Sequence, residues 1–247
     1  MTETDLNPEA LPAGPDGVLV RFALTPDPAA MAALEVLVAA LEAAPPEGVV
    51  EIAPALVSVL VRFDPARTRR AALARAVLAE ARRIARERPA PPAPKRRWTI
   101  PAAFGGRHGP QLAELAERAG MSEEACVEAI CEADLRVLTI GFAPGQPYIG
   151  LLPEAFDIPR LSELTPQVPG GAIVVAVRQI VLFGAPSTTG WRQAGQCGFR
   201  TFMPARSEPV LLQSGDAIRF ERADAAEVES LLDSADGLGG AKLETLT

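Results

Sequence analysis

The sequence predicts an α+β protein in two parts, a small α/β domain followed by a β-rich domain. Three observations carry that reading. Up to Glu87, short β-branched runs alternate with stretches whose apolar residues recur at helical spacing. Between Arg88 and Arg97, Pro89, Pro91, Pro92 and Pro94 crowd a segment that holds almost nothing a core could use, so it reads as a semi-rigid linker. From Leu135 onward, short β-rich runs alternate with Gly/Pro turns, the pattern of a β-barrel or sandwich. The expected boundaries are 1–87 for the α/β sandwich, 88–97 for the linker, 98–236 for the β-rich domain and 237–247 for a flexible, frayed tail.

Each element has a local reason. Val18 to Phe22 reads as a strand leaving the Asp16-Gly17 turn. Met31, Leu34, Leu37, Val38 and Leu41 then fall on one helical face, with Asp27 placed to cap and Pro28 at the first helical position. Pro45-Pro46 ends that helix. Val49–Ile52 and Leu56–Phe63 read as strands split by Pro54, and a second helix over Ala66–Arg86 sets Leu73, Val77, Ala81 and Ile84 opposite a row of arginines. The second domain opens with a short strand at Trp98–Ile100, passes Gly105-Gly106 and Gly109-Pro110, and enters a helix over Gln111–Arg118. Ser122 caps the next helix, with Glu123 and Glu124 suiting the dipole of its first turn. The β-rich runs are Leu135–Gly141, Ile173–Val177, Ile180–Phe183, Val210–Leu212 and Ala217–Phe220, followed by a short amphipathic helix at Ala225–Leu232.

Bulk properties narrow the function classes. The 247 residues are 48% hydrophobic and 22% charged, ample for a buried core, and only 5% aromatic, so Ala, Leu and Val must fill it. A net charge of −7 argues against nucleic acid as a partner, and the arginine-rich helix face reads as a solvated surface. No apolar run approaches the ~20 residues that span a bilayer, so no membrane role is expected. Met1–Ala10 is polar and acidic, unlike a signal peptide. Cys126, Cys131 and Cys197 form no CxxC pair, which fits a reducing cytoplasmic setting and buried, unreactive thiols.

The chemistry concentrates between Ile140 and Trp191. Gly141-Phe142-Ala143-Pro144-Gly145-Gln146-Pro147-Tyr148-Ile149-Gly150 alternates residues that free the backbone with residues that fix it, which writes one rigid loop. The polar groups of this region are Gln146, Tyr148, Arg160, Gln179, Ser187 and Arg192, with Trp191 as a flat apolar surface. Converging on a concave face, they would make an anion-recognising pocket: Arg192 would pair a carboxylate or phosphate, Gln179 and Tyr148 would hydrogen-bond the ligand, and Pro144 with Gly145 would shape the wall. No general base stands among them, which suits a subunit that binds and orients. The single histidine, His108, cannot build a His-rich metal site and reads as structural or solvent-facing. No GxGxxG follows a strand and no GxxxxGK[ST] occurs, so no phosphate loop of those kinds is present.

These landmarks together resemble a known family. Val57-Ser58-Val59-Leu60-Val61-Arg62-Phe63-Asp64-Pro65 is similar to its serine-centred strand ending in aromatic-Asp-Pro. Ile100-Pro101, Gly105-Gly106 and Gly109-Pro110-Gln111-Leu112 follow in family order, and Gly141–Leu152 is close to Gly-Phe-x-Pro-Gly-Phe-Pro-Tyr-Leu-Gly. Pro159-Arg160-Leu161, Val168-Pro169-Gly170-Gly171, Gln179, Gly190-Trp191-Arg192 and Ser214–Phe220 recur at family spacing. The chain is identified as a divergent member of the family that holds the 5-oxoprolinase B-type subunit, allophanate hydrolase subunit 1 and the Kip-type kinase inhibitors. That family is related to half of a carboxyltransferase domain, taken as subdomains A and B.

The resemblance implies a cyclophilin-like β-barrel as the second domain. It also implies a homologous C-type subunit and an A-type subunit of 5-oxoprolinase as partners, and ATP-dependent opening of a small amide or lactam, 5-oxoproline. Inhibition of a sensor histidine kinase is the alternative that it implies. The departures bear on the site. The family's histidine position is Ile130 and its Pro-Gly-Phe-Pro aromatic is Gln146. Family arginines give way to Glu163-Leu164-Thr165 and Gln167, and family glycines to Val177 and Val181. The scaffold is kept while the pocket is rewritten, as expected of a paralogue with altered substrate or of one that binds without turnover.

Overall fold

The structure, a computed structural model, describes residues 6–246. Its contacts divide the chain between Ala93 and Pro94 into two compact units.

In the first unit, β1 (Glu9–Ala13), β2 (Gly17–Arg21), β3 (Val49–Pro54) and β4 (Ser58–Phe63) form an antiparallel sheet in the order β1-β2-β4-β3. Helices α1 (Pro28–Ala43) and α2 (Arg70–Glu87) pack against it. Alternation along β2 and β4 sends Val18, Val20, Val59, Val61 and Phe63 inward, where they meet Leu34, Leu37, Val77 and Ile84. The opposite face carries Arg62, which bridges Asp16 (2.6 Å) and Glu51 (3.0 Å). Asp27 caps α1 as anticipated, its carboxylate accepting from the Ala30 amide at 2.9 Å.

Two boundaries differ from the sequence reading. Nothing in the pattern announces β1, because Glu9–Ala13 lacks β-branched residues and becomes a strand only by pairing along all of β2. Helix α2 starts at Arg70 instead of Ala66. Asp64 holds the preceding residues in a turn, its carbonyl accepting from Arg67 and Thr68 and its side chain from Ala66.

The second unit is a closed mixed β-barrel. Its strands are β5 (Arg96–Phe104), β6 (Leu135–Ile140), β7 (Pro147–Gly150), β9 (Ala172–Ala176), β10 (Gln179–Leu182), β12 (Arg192–Cys197) and β13 (Ala217–Arg222), while β8 (Thr165–Val168) and β11 (Ser187–Thr189) form a separate two-stranded ribbon. The order is β12-β9-β10-β7-β6-β13-β5, and pairing of Gly195–Cys197 with Ala102–Phe104 closes the ring. β5 and β13 run parallel, and every other pair is antiparallel. Inward residues such as Trp98, Ile100, Val137, Ile149, Ile173, Val175, Ile180 and Ile218 form one core with Leu115, Cys126 and Ile130 of helices α3 (Leu112–Ala119) and α4 (Glu123–Glu132). Ser122 caps α4 as expected, its hydroxyl accepting from the Ala125 amide. The helix anticipated from Gln111 begins at Leu112, since the Gln111 side chain accepts from the Gln193 amide (2.8 Å) and caps nothing.

The C-terminal residues are a correction. The segment 237–247, expected as a frayed tail, contains β14 (Lys242–Thr245), which pairs antiparallel with Arg96–Thr99 of β5 after α5 (Ala225–Leu231). Its side chains are exposed, so nothing in its pattern marks it; backbone pairing to a barrel strand orders it. Similarly β5 already begins at Arg96, inside the stretch read as linker.

Two local devices hold the barrel. Asp216 is 4% exposed and accepts from Arg96 Nε (2.8 Å) and Nη2 (2.6 Å), from the Trp98 indole (3.2 Å) and from the Gln213 amide (2.9 Å). The second device is the β9–β10 turn, where Val177 (φ 46°) and Arg178 (φ 63°) both adopt left-handed backbone. A type I′ two-residue hairpin takes positive φ at both central residues, which matches strand twist. Here the non-glycine turn is fixed by donation from the Val177 and Arg178 amides to the carbonyls of Ile158 and Phe156.

Two stability measurements check these devices. Replacing Asp216 with Ala strands Arg96 and the Trp98 indole, and urea titration should show a loss of about 3 kcal/mol. At Val177 the ordinary ranking of small residues should invert. Val177→Gly should exceed Val177→Ala in stability by about 1 kcal/mol, because only alanine carries the left-handed penalty.

Candidate functional site

The β6–β7 connection is a built loop. The Gly141 amide donates to Gln146 O (3.0 Å) and the Gln146 amide to Ala143 O (3.1 Å). Gly145 takes φ 67° with the Thr201 carbonyl 2.5 Å from where a Cβ would sit, so a side chain is excluded there both sterically and conformationally. Gln146 is buried at the foot of the loop, Pro144 is exposed, and Phe142 projects from the tip.

Register decides which of the anticipated residues can act together. Directly paired residues of adjacent strands point to the same face of a sheet. One transverse row reads Arg192, Val175, Ile180, Ile149 and Val137, and the next reads Gln193, Val174, Val181 and Tyr148. The first row belongs to the barrel core and the second to the face that Trp191 and Val181 share. Gln179, two residues before Val181, lies on the second face with Tyr148. Arg192 therefore points through the sheet, away from Tyr148, Gln179 and Trp191.

Arg192 is 2% exposed, with Nε donating to Glu114 Oε1 at 3.0 Å and Nη1 to Pro159 O at 2.8 Å. Burial raises the Glu114 pKa, but hydrogen bonds from Arg118 and Arg192 outweigh it and hold the carboxyl below its usual range. The guanidinium expected to meet a ligand is already committed to an internal partner. Ser187 sits in the β8–β11 ribbon, its hydroxyl donating to Ala185 O. Among the described residues, no hydrogen bond or ring contact joins Ser187, Pro144 or Gly145 to the Tyr148 face.

On that face Tyr148 and Trp191 meet edge-to-face, with ring centroids 6.1 Å apart, and the Arg160 guanidinium lies 5.3 Å from the Trp191 centroid. Trp191 is buried and Tyr148 half-buried, while Arg160 is exposed and, among the described residues, pairs with no carboxylate. A cation stacked on an aromatic, beside a phenol and a carboxamide, can orient a small anion that also bears an amide. The residues offer recognition and no proton-transfer pair.

Nothing in the sequence announces a concavity of about 610 Å³ that includes none of these residues, walled by Gly170, Gly171, Gln196, Arg200, Phe202 and Met203 among others. These residues come from four separate segments that only folding assembles. His108, read as structural or solvent-facing, is structural. It is 5% exposed, its Nδ1 lies 2.9 Å from Gln196 Oε1, and its Nε2 lies 3.2 Å from Glu229 Oε1, which ties α5 to β12. Gln196 Nε2 donates to Gly170 O, so its Oε1 is the acceptor and His108 Nδ1 is the donor in that contact. Burial pushes the Cys126 and Cys131 thiols up to about 11 and Cys197 to about 12, leaving them protonated and unreactive at neutral pH.

The Arg192–Glu114 pair predicts its own titration. A carboxyl whose pKa is lowered on folding adds stability above its unfolded value of about 4.3, and that stability is lost as pH falls through the folded value. Glu114→Gln should therefore flatten the loss of stability below about pH 4.3. Arg192→Ala should lower stability at neutral pH by about 3 kcal/mol, measured by urea titration.

Comparison with known proteins gives this geometry a context. The carboxyltransferase domain, subdomain C and D family matches residues 8–212. The half concerned is thus C and D, where the sequence reading took A and B. The chain is 39% identical over 121 residues to the 5-oxoprolinase B-type subunit of Escherichia coli O157:H7, covering 49% of this chain and 56% of that protein. It is 32% identical over 123 residues to the 5-oxoprolinase B-type subunit of Bacillus subtilis strain 168, covering 50% and 51%. The chain thus spans about half the length of the curated relatives it matches. The crystal structure of TTHA0988 superposes with a TM-score of 0.68 at 31% identity, over 85% of this chain and 40% of that one. Urea carboxylase of Kluyveromyces lactis shares the fold alone, with a TM-score of 0.73 at 17% identity over 99% of this chain and 24% of that one. The family is matched across most of the chain, and its relatives include the 5-oxoprolinase B-type subunit. The chain therefore belongs to the carboxyltransferase family of proteins like the B-type subunit of 5-oxoprolinase.

Proposed function

We propose that this chain is the recognition half of an ATP-dependent amide or lactam hydrolase of the 5-oxoprolinase type, working in the cytoplasm with a homologous C-type subunit and an A-type subunit. We read its barrel as cyclophilin-like. The observation that carries the reading is the exposed Arg160 guanidinium on Trp191, edge-to-face with Tyr148 and on the same side of the sheet as Gln179. Arg160 takes the role that the sequence pattern assigned to Arg192. It pairs the carboxylate of a small substrate, while the Tyr148 hydroxyl and Gln179 carboxamide hydrogen-bond its amide. Trp191 supplies an apolar floor that excludes water.

ATP fits poorly on this chain. The glycine-rich turn before α3 is the natural place for a phosphate, but the amides of His108, Gly109, Gln111 and Leu112 all donate to internal carbonyls. A Cβ at Gly109 would lie 1.9 Å from Ala194 O, so that glycine serves close packing. No step is assigned to a nucleotide held here, and phosphoryl chemistry belongs to the assembled subunits.

A second reading, inhibition of a sensor histidine kinase, draws support from Ile130. It fills the family's histidine position and is fully buried in the barrel core, so a polar family feature has become packing.

Reconstitution decides between the two. The complex with the A-type and C-type subunits should convert 5-oxoproline to glutamate with ATP consumption. Arg160→Ala should raise KM about tenfold, the loss of roughly 1.4 kcal/mol of ground-state binding, with Tm unchanged. A well-formed complex that leaves ATP and 5-oxoproline untouched would sink the enzyme reading, and slowed autophosphorylation of a purified histidine kinase would favour the second.

A further inference from the structure

We infer that Gln146 is a further specificity-determining residue of the Tyr148 face, and that the substrate read there carries a second amide beside the one met by Gln179, as a short 5-oxoprolyl peptide with a free carboxylate does. The inference rests on the recognition site proposed above and extends it by one residue and one functional group.

Four glutamines are buried among the described residues, and they divide into two pairs. Gln193 and Gln196 are spent on the fold: Gln193 Nε2 donates to His108 O at 2.8 Å, and Gln196 Nε2 donates to Gly170 O at 3.1 Å. Gln146 and Gln179 are each 4% exposed, yet no hydrogen bond among the described residues reaches either carboxamide. Their polar atoms are not sealed off. Among the described residues, the sealed side-chain atoms without a partner are Arg70 Nε and Thr201 Oγ1. Gln146 and Gln179 therefore bury their stems and leave an uncommitted donor and acceptor open at the tip. A buried amide that the protein leaves unmet costs free energy, and it persists where water or a ligand meets it.

Placement joins the two. Gln146 stands between Gly145, where the Thr201 carbonyl excludes a side chain, and Pro147, which confines the preceding residue to extended backbone. Its carbonyl accepts from the Gly141 amide and so continues the β6–β7 ladder by one pair. Two residues before Tyr148, Gln146 shares its face. Gln179 pairs with Gly150, two residues beyond Tyr148, and lies on that face as well. The two carboxamides are thus rooted about 13 Å apart along the strand, with the phenol between them.

A carboxamide presents a donor and an acceptor side by side, and its complement is the N–H and C=O edge of another amide. Two of them flanking one phenol, on the face where the Arg160 guanidinium stacks, suit an acid longer than a single lactam ring. 5-Oxoproline has one amide, which leaves Gln146 with nothing to meet.

The test is calorimetric titration of the full chain, free and in the assembled complex, with 5-oxoprolylglycine and with 5-oxoproline. Wild type, Gln146→Leu, Gln146→Met and Gln179→Leu are compared. Wild type should bind the dipeptide at least about fivefold tighter than 5-oxoproline. Both Gln146 variants should weaken dipeptide binding about fivefold, leave 5-oxoproline binding unchanged and raise Tm, because an apolar side chain there removes an unmet amide and no hydrogen bond. Gln179→Leu should weaken both ligands. A Tm lowered by both Gln146 variants overturns the inference, since the carboxamide then serves the fold. If both Gln146 variants bind the dipeptide as wild type does, while Gln179→Leu weakens 5-oxoproline, the role of Gln146 is overturned and the recognition site stands. Wild type that binds neither ligand in either setting overturns the recognition site, and the inference with it.

Discussion

The Asp216 carboxylate joins parts of the barrel that no short loop connects. Both oxygens are used on Arg96 at the start of β5, one also on the Trp98 indole, and the Gln213 amide ties in the chain entering β13. The backbone of the same residue accepts from Val137 in β6. One buried anion therefore aligns β6, β13 and β5. β5 is the strand on which everything else closes, since it pairs with β13 on one side and with β12 and β14 on the other. Removing any one of these donors would leave a buried charge under-compensated, which disfavours pairings that separate Asp216 from Arg96 and Trp98.

Closure then fixes which residues share the Trp191 face. Once β12 is paired to both β5 and β9, the parity of every residue along it is set, and Arg192 must point to the side where Glu114 and the Pro159 carbonyl wait. Trp191, one residue earlier, falls on the other side with Tyr148 and under Arg160. Two neighbouring residues that the sequence offered as binding candidates thus lie on opposite sides, Arg192 against Glu114 and the Pro159 carbonyl, Trp191 against Tyr148 and Arg160. The cation on the Trp191 side is Arg160, on the irregular segment before β8.

The changed positions of the family pattern acquire physical meaning in the same way. Val177 occupies a turn that demands left-handed backbone, and the Phe156 and Ile158 carbonyls hold it there despite its β-branched side chain. Ile130 is core. Gln146 is buried beneath the loop that its backbone closes, so the replacement of an aromatic there alters the foot of the loop and leaves its tip to Phe142.

Local features were legible in the sequence because their causes are local. Asp27 and Ser122 cap their helices with a side chain reaching three residues ahead, and the apolar stripes of α1 and α2 follow from helical spacing alone. The same holds for the stiffness of the Gly141–Gly150 segment and for the β-rich grammar of the second unit. What tertiary structure decided depends on partners distant in sequence. β1 and β14 are strands only because β2 and β5 offer them unpaired backbone, which no composition announces. The burial of Arg192 and the assembly of the cavity from four segments depend on register and closure. A shift of one residue reverses every face, and only the folded sheet sets that shift.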